Sequence, residues 1–243
     1  MSPQVRGKAA AKTAGGRGDR TAQAYKQLRE MIVHGRLAPG VRVIENDIAE
    51  RLGVSRTPVR SALHRLEQEG YIVSAGWDNE RRLLVAPMTE DDVRELFQII
   101  AEIEGLAARL AAKRPAKQRT ALTSRLRRIN EEIAATGRSA RPDPSRYFEL
   151  DMAFHRTYVE FGAGPRLRAL HDAIKPQSER YNHLYTTALT AASDRSVIEH
   201  DAILRAIEAG KGAAADAAVA RNWWNAAERL STVIASLNER GLW

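Results

Sequence analysis

The sequence predicts a mainly α-helical protein in two parts: a winged helix-turn-helix with a small β-hairpin, then an all-α helical bundle. Three observations carry this. Residues 48–63 read as two short helices joined at Gly53, the second opening on a hydroxyl residue. Two short apolar runs flank Gly76, Asp78 and Asn79, a hairpin pattern. From Thr89 onward every strong periodicity is helical.

The elements follow in order. Residues 1–20 hold Gly, Ala, Lys and Arg with almost no large apolar groups, and are expected to form a disordered basic arm. Tyr25, Leu28 and Ile32 share one face of a helix over 21–34, which Gly35 ends. Pro39-Gly40 turns the chain into a helix over 45–52. Ser55 is the expected cap of the next helix, which reaches Glu69. There Pro58 sits in the first turn, where its missing N–H costs little, and Val59, Ala62, Leu63 and Leu66 face inward. Residues 71–73 and 83–85 read as the two strands. Residues 21–88 thus form one domain and 89–243 a second. Thr89 caps the first helix of the second domain, with Asp92 placed to return a bond to the cap. Helices are expected at 90–112, 116–136, 145–162, 166–190, 194–209 and 213–239.

Charge points to a polyanionic partner. The net charge is +8, and residues 1–88 hold 15 Lys/Arg against 9 Asp/Glu. The excess therefore lies with the helix-turn-helix. No apolar run approaches the roughly 20 residues that cross a bilayer, the basic N-terminus lacks the apolar stretch of a secretory signal, and there is no cysteine. A cytoplasmic protein without a membrane partner is expected.

Ser55-Arg56-Thr57-Pro58-Val59-Arg60, followed by Leu66-Glu67-Gln68-Glu69-Gly70, resembles the N-terminal signature of GntR-family transcription regulators. The helical half resembles the FCD ligand-binding domain of the FadR subfamily. Its marks are Glu104, Asp151-Met152-Ala153-Phe154-His155, Pro165-Arg166-Leu167, and Glu199-His200 followed by Ile203 to Ile207. The resemblance covers residues 21–240. It implies a homodimer that reads a pseudo-palindromic double-stranded operator, usually as a repressor, under control of a small-molecule effector.

Arg56 and Arg60 stand four residues apart, on one face near the start of the recognition helix. An arginine fork matches guanine O6 and N7. The resemblance assigns both to base or phosphate contact, with Ser55 and Thr57 on phosphates. The bland alternative is a surface ion pair with Glu50 or Glu67. Two departures from the family pattern stand out. Asn46 replaces an arginine found in some relatives, and Arg81-Arg82 occupies a wing position usually held by glycine. Those two arginines reach toward DNA or merely face solvent.

Asp151 and His155 are i and i+4 on one helix, so both can approach one ion. The resemblance adds His200 as a third ligand and places Asn222 where relatives carry a fourth, histidine ligand. The set suits Zn²⁺, Ni²⁺, Mn²⁺ or Fe²⁺; the bland alternative is a pair of satisfied core histidines. His171 and His183 carry no such pattern and read as ordinary residues. Ile100 replaces an arginine that suits organic-acid effectors, leaving Arg156 and Arg180 as candidate effector anchors for a carboxylate. Phe154, Tyr181, Tyr185, Trp223 and Trp224 line a pocket or simply fill the core. The rival readings are a metal-dependent hydrolase, which no nucleophile motif or His-Glu-x-x-His pattern supports, and a sequence-neutral architectural DNA binder.

Overall fold

Val59, Ala62, Leu63 and Leu66 recur at a spacing that lines one face of a helix, and all four are buried. The computed structural model describes residues 15–76, 82–190 and 193–237. It folds that stripe into α3 (Arg56–Gln68), packed on α1 (Gly15–Val33) and α2 (Glu45–Leu52). Leu28, Ile32, Ile48 and Tyr71 complete the same core cluster. Gly53 ends α2 at φ 65°, and a Cβ there would meet nothing within 4 Å. The glycine is therefore needed for its left-handed backbone and not for space.

Strand β1 (Ile72–Ala75) pairs antiparallel with β2 (Arg82–Val85), in a register running from Ile72 opposite Val85 to Ala75 opposite Arg82. Residues 41–43 add a short third edge. Val43 N–H donates to the Leu83 carbonyl at 2.8 Å, and Val85 N–H to that of Val41 at 2.9 Å. Three residues are too few for a period-2 signal, so this edge was not legible in the sequence. The helix expected from residue 21 starts at Gly15, so residues 15–20 are helical where a disordered arm was expected. Once Leu28 and Ile32 anchor the helix, each residue added toward the N-terminus gains a backbone bond without a new nucleation cost. Residues 1–14 lie outside the described residues.

The described residues divide into two compact units between Ala86 and Pro87. The second comprises α4 (Glu90–Ala112), α5 (Ala116–Gly137), α6 (Pro144–Gly162), α7 (Pro165–Thr190), α8 (Ser193–Glu208) and α9 (Gly212–Leu237). Thr89 caps α4 by accepting from Asp92 N–H at 3.1 Å. The expected reciprocal bond is replaced, because the Asp92 carboxylate accepts the Tyr181 hydroxyl of α7. Asp143 caps α6 ahead of Pro144.

Helix α4 runs at the centre of this bundle, touching α6, α7, α8 and α9. Phe97, Ile100, Ala101, Ala107, Ala108 and Ala111 are all buried on it. Small residues bring its neighbours close: a Cβ on Gly162 of α6 would collide with the Ala107 carbonyl. Side chains on α6, α7 and α9 can therefore converge on one buried point of α4. No described helix is long and apolar enough to cross a membrane.

Candidate functional site

Two groups of polar side chains stand apart from the packing described above, one in each unit. In the first unit, Pro58 and Val59 turn inward while Ser55, Arg56, Thr57 and Arg60 are exposed on the opening turns of α3. Ser55 takes the cap position, but its side chain makes no capping bond. The arginines meet neither Glu50 nor Glu67. Arg60 grips Glu45 at the start of α2, with Nε donating to Oε1 at 3.0 Å and to Oε2 at 3.2 Å and Nη2 donating to Oε2 at 2.9 Å. Arg56 Nη2 lies 3.6 Å from the same Oε2. The hydrogen bond from Arg60, against a small cost of burial, holds the Glu45 carboxyl below its ordinary range. Glu67 instead accepts the Ser74 hydroxyl. Arg82 is exposed on β2, and Arg81 lies outside the described residues.

In the second unit, the centre is Glu104 of α4, fully buried. Five side chains from three helices surround its carboxylate. From α6, His155 Nδ1 lies at 2.7 Å and the Tyr158 hydroxyl donates at 2.5 Å. From α7, His171 Nε2 lies at 3.0 Å and Lys175 Nζ donates at 3.1 Å. From α9, Trp223 Nε1 donates at 3.0 Å, and Lys175 Nζ also stands 3.9 Å from the centre of the Trp223 ring. Burial alone would raise the Glu104 carboxyl, but Lys175, His155 and His171 together hold it well below the usual carboxylate range.

An ionised carboxylate can only accept, so His155 Nδ1 carries a proton, and Nε2 is the nitrogen that would supply a lone pair to a metal ion. His155 belongs to a second group with Asp151 and His200, whose ligand atoms all lie within 4.8 Å of one another. His200 Nδ1 meets Asn130 Oδ1 at 3.2 Å. The Asn130 amide nitrogen donates to the Val197 carbonyl at 3.0 Å, so its oxygen accepts from His200. That leaves His200 Nε2 as the lone-pair nitrogen. It is buried, has no hydrogen-bond partner and lies 3.5 Å from Asp151 Oδ1. Burial, together with His155 and Arg229, pushes the His200 ring well below its ordinary range and keeps it neutral. Burial raises Asp151. Phe154 stacks flat on His200 at 4.0 Å, fixing the ring.

These residues fit a divalent cation. A buried lone pair without a donor is costly unless a cation takes it. Ligands about 2.0–2.2 Å from one ion sit about 3–3.5 Å apart, which matches the spacing of His200 and Asp151. The Asn222 amide nitrogen is turned to Glu199, donating at 2.9 Å within a network that also binds Asn225 and Arg229.

The candidate effector anchors separate. Arg156 is 63% exposed and pairs with Glu160 at 2.7 Å. One residue beyond His155 turns about 100° around the helix, so adjacency in sequence carried Arg156 away from the site. Arg180 is buried, beside Tyr181. The side chains of His183 and Tyr185 lie outside the described residues. Phe154, Tyr181 and Trp223 are core residues, while Trp224 is half exposed.

His171, Tyr158 and Lys175 were missed by sequence reasoning, and His171 was read as ordinary. One signal was available. Glu104 falls on the same helix stripe as Phe97, Ile100, Ala101 and Ala108, and a lone acid on a buried stripe requires several donors. The donors themselves could not be named without knowing which helices neighbour α4.

A family model described as "FCD domain" matches residues 95–223, and one described as "Bacterial regulatory proteins, gntR family" matches residues 20–76. A probable D-xylose utilization operon transcriptional repressor of Paenarthrobacter nicotinovorans is 30% identical over 193 residues, 76% of this chain and 78% of that protein. The uncharacterized HTH-type transcriptional regulator YdhC of Bacillus subtilis is 27% identical over 152 residues, which span 63% of this chain and 65% of that relative, just under two thirds of its length. Among solved structures, E. coli McbR/YncC aligns at a TM-score of 0.65 and 21% identity, covering 88% of this chain and 98% of that one. At that identity the likeness is one of fold.

Proposed function

Given that the chain belongs to the gntR family of bacterial regulatory proteins and carries an FCD domain, we propose that it is a ligand-responsive transcription regulator that represses from a pseudo-palindromic operator as a homodimer. The observation that carries this is the opening of α3, where Ser55, Arg56, Thr57 and Arg60 are exposed around buried Pro58 and Val59. Such a helix enters a major groove with its N-terminal side chains toward base edges. Arg56 and Arg60 supply forks for guanine, Ser55 and Thr57 supply hydroxyls for phosphates, and Arg81 and Arg82 supply charge from the wing. Two such helices related by a twofold axis give the specificity one domain lacks.

The second unit is the sensor. Asp151, His155 and His200 would hold a divalent Zn²⁺, Ni²⁺, Mn²⁺ or Fe²⁺ ion. Bound there, the ion would supply positive charge for a small anionic effector such as a carboxylate. Arg180 is a buried cation on α7 that could add to it. Glu104 fixes the His155 ring, and Phe154 and Asn130 fix that of His200. Occupancy regulates only if it favours one of two arrangements with different operator affinity. The proteins matched are regulators by name, and the acid–histidine site serves ligand capture in this reading, with no turnover.

The test is selection of bound fragments from the source organism's genomic DNA, followed by affinity for the selected operator and for random duplex at one salt concentration. A regulator prefers the operator by at least about a thousandfold and sediments as a dimer. A monomer that binds all duplexes equally would overturn the reading.

A further inference from the structure

We propose that Glu45 is a positioning residue for operator recognition, holding Arg60 in the orientation that reads a base and opposing attachment to DNA of any sequence. The inference rests on reading α3 as the DNA-reading helix. A guanidinium has two usable edges, a side edge of Nε and Nη2 and an end edge of Nη1 and Nη2. Glu45 takes the side edge of Arg60 with both carboxylate oxygens, at 3.0 and 2.9 Å. The end edge stays available for guanine O6 and N7. The grip joins the first turn of α2 to the second turn of α3, fifteen residues apart in sequence, and the same Oε2 lies 3.6 Å from Arg56. One carboxylate thus holds Arg60 by the two hydrogen-bonding nitrogens of its side edge and only neighbours Arg56, beyond hydrogen-bond reach.

Exposed ion pairs add little to folding, and both arginine side chains are more than 60% exposed. The pair's consequence therefore lies in where the Arg60 fork points. A three-methylene arginine stem that is already oriented loses less freedom when it docks. Glu45 also sets a negative charge within a surface that must approach phosphates. It weakens attachment that rests on charge alone, while contacts that need an aligned fork gain.

The test uses the full-length protein with its selected operator and a random duplex of equal length, titrated across a salt series. Glu45→Gln should lower the operator-to-random affinity ratio about tenfold. It should also raise random-duplex affinity severalfold and steepen its salt dependence. In an Arg60→Ala background, Glu45→Gln should leave the ratio unchanged within twofold, because the group it orients is gone. A ratio unchanged by Glu45→Gln in the otherwise wild-type protein overturns the proposal. So does an equal loss of both affinities with a lowered Tm, which marks a purely structural role. A wild-type ratio near one overturns the regulator reading itself, and the inference with it.

Discussion

His155 Nδ1 and Glu104 Oε2 lie 2.7 Å apart inside the helical unit, joining α6 to the central helix α4. This pair connects the two halves of the buried polar cluster. On one side of the imidazole, Glu104 collects Tyr158, His171, Lys175 and Trp223. On the other, the ring stands with Asp151 and His200. A carboxylate behind a ligating imidazole sets its tautomer and strengthens it as a ligand.

Glu104→Gln should therefore act twice. It leaves Lys175 buried without its counter-charge, and breaking a buried pair from one side costs about 3–5 kcal/mol. Chemical denaturation should read that loss. Metal affinity should fall about 10–100-fold, because the His155 ring loses the negative carboxylate that orients it and strengthens it as a ligand. A stable variant with wild-type metal affinity would show that Glu104 orients nothing.

Metal loading is directly measurable. Protein purified without chelator should carry a transition metal on elemental analysis, or its Tm should rise when Zn²⁺, Ni²⁺, Mn²⁺ or Fe²⁺ is added to the stripped form. His155→Ala combined with His200→Ala should abolish both responses. No bound metal and no shift with any of the four ions would return Asp151, His155 and His200 to the role of core residues.

Asn222 gives a sharper case. Its amide nitrogen donates to Glu199, so its contribution to ion binding is expected to be small. Asn222→Ala should change metal affinity by less than about threefold, under 1 kcal/mol. A drop beyond tenfold, read by competition with a chelating dye, would restore the amide oxygen as a ligand.

Arg56 should matter for sequence and not for folding, since its side chain is 61% exposed. Arg56→Ala should cost about 1–3 kcal/mol of operator binding, with Tm nearly unchanged and a much smaller loss on random duplex. Equal losses on both DNAs would make Arg56 a phosphate contact only.

Much of this molecule is local, and local features are legible in a chain. The stripe Val59, Ala62, Leu63, Leu66 determines that α3 exists and which side faces out, which in turn places Ser55, Arg56, Thr57 and Arg60 on the surface. Asp151 and His155 share a helix face because 3.6 residues make a turn. What tertiary structure alone decided is which separate helices meet. The ring around Glu104 draws on α6, α7 and α9, the partner of Arg60 comes from α2 and not from nearby Glu67, and Asn222 turns to Glu199. Helical periodicity tells which face of an element is buried, but carries no label for the neighbour that covers it. Close approach between α4 and α6, permitted by Gly162 and the Ala107 backbone, makes that choice, and the buried charge of Glu104 then requires the donors that surround it.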